Sequence, residues 1–212
     1  MIDIVLSSGL ATLVGLRHAL EPDHLAAVTT LVSHERSGRR AAMLGVWWGL
    51  GHTLALVVVG ATLVVVQREM PANATAAFEL VVAAMLIVLG GRAIIQTARG
   101  GRTPLTVSDA PKKGHDPFVR PLLVGMVHGL AGSGALTALV LSTLPTMPSR
   151  LAFVVVFGAA STGGMAVASG LLGWPLARLG ARHVVTRGVT LAVGVSSAML
   201  GLAWGGSALG AF

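Results

Sequence analysis

The chain has no cysteine and no tyrosine among its 212 residues. The missing thiols exclude disulfide scaffolds, thiolate metal sites, iron–sulfur clusters and dithiol electron relays. Aromatics amount to 4%, too few to build a base-stacking surface for single-stranded nucleic acid. Charge is scarce as well: Asp, Glu, Lys and Arg together make up 11%, where a soluble domain carries about 25%. The stretches 121–149 and 188–212 contain none of the four. Acidic residues are the rarer sign, 8 against 15 basic, for a formal net charge of +7. That excess does not point to nucleic acid, because the basic residues sit in short clusters between apolar blocks, where they set topology.

Apolar residues make up 54% of the chain, and there are 28 glycines besides. A bilayer core about 30 Å thick needs about 20 apolar helical residues to cross it. Six blocks meet that need, at 4–33, 41–66, 76–97, 119–144, 151–176 and 184–210. The N-terminus lacks a basic stretch and a small-residue cleavage site before Arg17 and His18, and reads as a retained span. The expectation is an all-α polytopic membrane protein of six transmembrane helices, a single domain embedded in the lipid bilayer. Apart from Arg17 and Arg92, thirteen basic residues lie in the connections or at their edges, and eleven of them belong to the first, third and fifth. The positive-inside rule therefore puts those connections in the cytoplasm and both termini outside a cytoplasmic (inner) membrane.

The halves resemble one another. Residues 15–33 align with 125–142 at an offset of 110, pairing His18 with His128; near the same offset His52 and Thr53 align with Ser161 and Thr162. Residues 83–93 face 197–208 in the same way. Three spans repeated once must be inverted, so the expected architecture is a 3+3 inverted repeat. Residues 1–97 form the first repeat, 98–118 a cytoplasmic connecting loop, and 119–212 the second repeat. Secondary transporters use this arrangement and bind their cargo between the halves.

The first block carries the chemistry. Arg17, His18, Glu21, Asp23 and His24 fall within eight residues of an otherwise apolar run, and such groups are expensive in hydrocarbon. On an unbroken helix His18 and His24 would lie about 120° apart. Pro22 lacks an N–H and clashes with the preceding turn, so the first helix is expected to break there. A break lets both rings and the Asp23 carboxylate meet. His52, between Gly51 and Thr53 in an uncharged span, supplies a further ligand from a neighbouring helix. His128 has no carboxylate in its own segment, so its expected place is beside the ligands, and replacing it is expected to be mild. Ser133, Ser161 and Thr162 either line a polar path or bond carbonyls of their own helices. Arg17 is placed to pair with Glu21 or Asp23. Glu79 and Arg92 are explained as end-of-span residues that snorkel, and His34, His115 and His183 as residues of the connections.

Imidazoles with a carboxylate and no sulfur suit Ni²⁺, Co²⁺, Zn²⁺ and Cu²⁺, whereas Mg²⁺ and Ca²⁺ want mostly oxygen. The expected metal site is His18, Asp23, His24 and His52, with Arg17, Glu21, His128, Ser133, Ser161 and Thr162 around it or along the path. The residues alone leave a permease, a membrane hydrolase with an open water position, and a non-transporting sensor or assembly factor as alternatives. There is no H-E-x-x-H pair and no separate base beyond Glu21, which weighs against the hydrolase.

His18-Ala-Leu-Glu-Pro-Asp23-His24 resembles the H-x-x-x-x-D-H signature of the nickel/cobalt transporter (NiCoT) family. Leu50-Gly51-His52-Thr53 resembles that family's second motif. The chain is most like the short, UreH-like branch of nickel permeases with about six spans. Larger members carry eight spans, Asp-Ala-Asp-His in place of Glu21-Pro22-Asp23-His24, and acidic motifs in the second half that are missing here. The resemblance implies a permease rather than an enzyme, with Ni²⁺ or Co²⁺ as its substrate and no resident cofactor. It implies uptake, with efflux by the same fold as the alternative, and roles in transport for His18, Asp23, His24 and His52. It also implies nickel-enzyme maturation proteins, such as those of urease, as partners.

Overall fold

The computed structural model describes residues 2–32, 35, 37–99, 118–179 and 183–210. All regular structure among them is helical: α1 (Ile2–His18), α2 (Pro22–Val32), α3 (Gly38–Val65), α4 (Ala72–Ala98), α5 (Val119–Thr143), α6 (Met147–Leu179) and α7 (His183–Ala208). The interior of the expected 98–118 loop, residues 100–117 with His115, lies outside the described residues, as do His34 and the side chain of His183.

Among the described residues, four helices are long and apolar enough to cross a membrane, within Gly38–Val65, Ala72–Ile95, Met147–Trp174 and Arg187–Ala208, and α5 adds an apolar stretch at Val119–Gly132. Their exposure pattern is that of a protein solvated by lipid. Leu6, Leu13, Val58, Val155 and Leu171 point outward, Leu171 at 70% exposure, while Asp23, His24, His52, His128, Ser161 and Ser197 are buried. Water would not tolerate so much apolar surface. The bilayer does, and the chain is a polytopic transmembrane protein.

The first apolar block is two helices, α1 and α2, separated by Ala19, Leu20 and Glu21. Pro22 is the first residue of α2, a position where its missing N–H costs nothing. The interruption leaves few orphan backbone groups. Leu20 and Glu21 donate to the carbonyls of Arg17 and His18, each at 3.0 Å, and the Glu21 carbonyl accepts from Leu25 at 2.9 Å. Irregular backbone inside a bilayer needs this kind of local satisfaction.

Helix α3 is the centre of the bundle, packed on both α5 and α6, with α1 against α6 and α4 against α7. Glycines set how closely these helices approach, as is usual where dispersion rather than the hydrophobic effect joins helices in lipid. A Cβ on Gly15 of α1 would strike the Phe157 carbonyl in α6, and one on Gly125 of α5 would strike the Trp48 carbonyl in α3. Likewise Gly49 of α3 faces Thr162 of α6, while Gly158 of α6 faces Thr53 of α3. Each contact thus has a counterpart 109 or 110 residues further along the chain.

Candidate metal site

The turn between α1 and α2 gathers the residues of the first motif. His18 ends α1, and Asp23 and His24 open α2. Their rings are now close: the centroids of His18 and His24 are 4.3 Å apart, a separation the unbroken helix would not allow. His52 comes in from α3, its ring centroid 5.3 Å from His18 and 5.1 Å from His24. The Nε2 atoms of His18 and His52 are 3.3 Å apart. For comparison, nitrogens bound at about 2.1 Å in a tetrahedral site lie about 3.4 Å from one another.

Helix α5 adds His128. A Cβ on Gly129 would run into the backbone of His52, so only glycine allows α5 to lie this close to α3 at the level of the histidines. His128 Nε2 donates to Asp23 Oδ2 at 2.8 Å, and the two ring centroids of His24 and His128 are 4.4 Å apart. The carboxylate missing from the His128 segment is therefore provided by α2. It draws His128 into the cluster more closely than its neighbours in the sequence imply.

Carboxylates orient the imidazoles. His18 Nδ1 donates to Glu21 Oε2 at 2.8 Å, which leaves Nε2, the nitrogen nearest His52, with its lone pair. A carboxylate behind a histidine fixes the tautomer and strengthens the ring as a ligand. His24 is different. Its Nδ1 lies 3.1 Å from Asp23 Oδ1 without hydrogen-bond geometry, so both ring nitrogens are buried and unpartnered, as is His52 Nδ1. A buried polar group left unsatisfied costs about 1–3 kcal/mol, and a cation held by these nitrogens offsets that cost. The donor set of four imidazoles and one carboxylate fits a late divalent transition metal as substrate.

A cavity of about 420 Å³ adjoins the cluster, lined by all four histidines and Asp23. Arg17, Glu21 and Glu79 line it too. Among the described residues the partners of Glu21 and Asp23 are histidines rather than Arg17. Glu79 of α4, which the sequence suggested was only snorkelling, is thus on the wall of the cavity. Ser161 is fully buried and Thr162 bonds Thr53 at 2.7 Å, so neither lines this cavity among the described residues. Thr53 also donates to the Gly158 carbonyl at 2.8 Å, which makes this pair helix-to-helix cement. The side chain of Ser133 lies outside the described residues.

Two rings that local sequence did not single out pack against the cluster. Trp48, one turn before His52, lies 5.4 Å from His24 and 5.6 Å from His128, and Phe157 lies 5.2 Å from His18. The pairs Phe157–His18 and Trp48–His128 are again counterparts across the two halves.

Comparison with known proteins agrees with this chemistry. The family model for NicO, described as high-affinity nickel-transport protein, matches residues 5–118. That range includes His18, Asp23, His24 and His52. A protein of Bacillus sp. (strain TB-90) named Urease accessory protein UreH is 32% identical over 189 residues, covering 86% of this chain and 82% of the relative. No solved structure matches.

Proposed function

Because the chain belongs to the NicO family of high-affinity nickel-transport proteins, we propose that it is a permease that takes Ni²⁺ into the cell through the histidine–aspartate cluster. The observation that carries this reading is the convergence of His18 of α1, Asp23 and His24 of α2 and His52 of α3 on one cavity, in a bundle whose outer face is apolar. Imidazole and carboxylate donors replace the hydration shell of the ion, and Co²⁺ is the other cargo these donors suit. The ion is cargo, so no cofactor and no catalytic step enter the account.

The architecture proposed is six spans in a 3+3 inverted repeat. The α1–α2 pair, α3 and α4 make the first half (1–97), and α5, α6 and α7 the second (119–212). The matching contacts Gly15–Phe157 and Gly125–Trp48, and Gly49–Thr162 and Gly158–Thr53, support it, as does the Thr53–Thr162 hydrogen bond between equivalent positions. Rocking of the two halves about that contact would expose the cluster to each side in turn. The basic connections put the 98–118 loop in the cytoplasm and both termini outside the inner membrane. Leu139 and Glu79, which also line the cavity, lie nearer the end of α5 and the start of α4 that this topology puts outside, which suits uptake. The relative's name, urease accessory protein, supports nickel enzymes such as urease, and their maturation proteins, as the recipients.

Accumulation of radioactive nickel by cells with and without the protein tests the reading: uptake must rise with the protein, and unchanged accumulation contradicts it. The absence of native cysteine makes topology directly measurable. A cysteine in place of Ser108 is expected to resist membrane-impermeant thiol reagents in intact cells, and one in place of Ala74 to react. The opposite pattern would reverse the orientation.

A further inference from the structure

Among the described residues the ligand atoms form two groups. One is His18, His24 and His52; the other is Asp23, His24 and His128; within each, one ligand atom per residue lies within 4.8 Å of the others. His24 belongs to both. We propose that the two groups are successive stations for the ion, filled in turn through His24, an inference that rests on the nickel-permease reading above.

Exposure sets the order. The His18 side chain is 14% exposed, whereas those of Asp23, His24 and His128 are 4%, 1% and 2%. His24 and His52 are as buried as the second group, so His18 is the exposed member of the first group, through which an ion arriving in the cavity enters. The first group has only imidazoles among its ligand atoms, the Glu21 carboxylate standing behind His18 rather than among them. The second group has the Asp23 carboxylate, whose attraction for the ion is strong where water is excluded. The ion therefore moves from a weaker station open only at His18 to a stronger one whose ligands are all enclosed.

His24 is built to make the exchange. His18 is anchored by Glu21 and His128 by Asp23, each at 2.8 Å, but neither nitrogen of His24 has a hydrogen-bond partner. Its ring is midway, 4.3 Å from the His18 ring and 4.4 Å from the His128 ring. A neutral imidazole has one lone pair, so an ion on His24 at one station leaves the other a ligand short. The stations cannot be occupied together. An ion between Asp23 and His128 takes the place of the hydrogen that His128 Nε2 now donates, and the ring carries its proton on Nδ1 instead. The step is an exchange of ligands and consumes no reductant, oxidant or nucleotide.

His128→Gln tests the second station, because glutamine can still donate to Asp23 but is a poor nickel ligand. Equilibrium dialysis with NiCl₂ and nickel X-ray absorption would be run on the purified full chain, alongside uptake by cells matched for protein level. The expected result is one Ni²⁺ per chain in His128→Gln, bound by imidazoles, with uptake at least about tenfold lower, the loss expected when an essential ligand is removed. His52→Ala should also bind one Ni²⁺, now with a carboxylate oxygen, and show a similar loss of uptake. Uptake by His128→Gln within twofold of wild type, with His52→Ala impaired, would overturn the second station and leave the permease standing. Two ions bound at once to the wild-type chain, or loss of all binding in both variants, would overturn alternate filling. Normal uptake by His52→Ala would instead remove the underlying nickel site.

Discussion

Asp23→Asn is expected to reduce nickel uptake by an order of magnitude or more while the protein still reaches the membrane. Asp23 is 3% exposed, and its two oxygens face His24 and His128. Asparagine keeps the size and part of the hydrogen bonding but removes the one negative charge that the buried cluster offers a dication. Unit charges 4 Å apart attract by about 4 kcal/mol at an effective dielectric of 20. A third of that, about 1.4 kcal/mol, is already tenfold in an equilibrium constant. Stability should move the other way or not at all, because a desolvated carboxylate is itself costly to bury. A melting temperature of the detergent-solubilised variant at or above that of the wild type, with uptake lost, separates a ligand from a scaffold residue. Uptake near normal would remove Asp23 from the site.

His24→Ala should have the larger effect, lowering uptake to the level of cells without the protein and abolishing nickel binding by the purified chain. His24 is the only residue common to both ligand groups among the described residues, so neither survives its removal. Truncation leaves a small void, which destabilises, but it also removes two buried nitrogens that lack hydrogen-bond partners. These effects oppose each other, and the amount of folded protein should change little. Equilibrium dialysis checks the outcome; retention of one tightly bound Ni²⁺ by the variant would show that the ion sits elsewhere.

Much of this was legible in the sequence because lipid imposes a simple rule. Backbone in lipid must satisfy its own hydrogen bonds, which favours long apolar helices, and the blocks at 41–66, 76–97, 119–144, 151–176 and 184–210 coincide with α3 to α7 to within a few residues. Where they differ, α6 begins earlier, at Met147, since Pro148 in its first turn costs no hydrogen bond. The first motif was legible because ionisable residues inside an apolar run need a reason, and Pro22 indicated how they could converge.

The pairing of His128 with Asp23 was not legible. The two lie 105 residues apart, and nothing in the local spacing of either registers a contact made by packing α5 on the core. The mild effect expected for replacing His128 came from the lack of a carboxylate in its own segment, and the structure supplies one from α2. Glu79 was missed because an acid seven residues into a helix satisfies the snorkelling rule as well as it lines a cavity. Trp48 left a usable signal: it stands four residues before His52, on the same face of α3.

The most direct measurement is anomalous scattering at the nickel edge from crystals of the full chain equilibrated with Ni²⁺. The account predicts one peak per chain among His18, Asp23, His24, His52 and His128, within about 2.1 Å of at least two imidazole nitrogens. A peak confined to the surface or to the connections, with none inside the cluster, would contradict it.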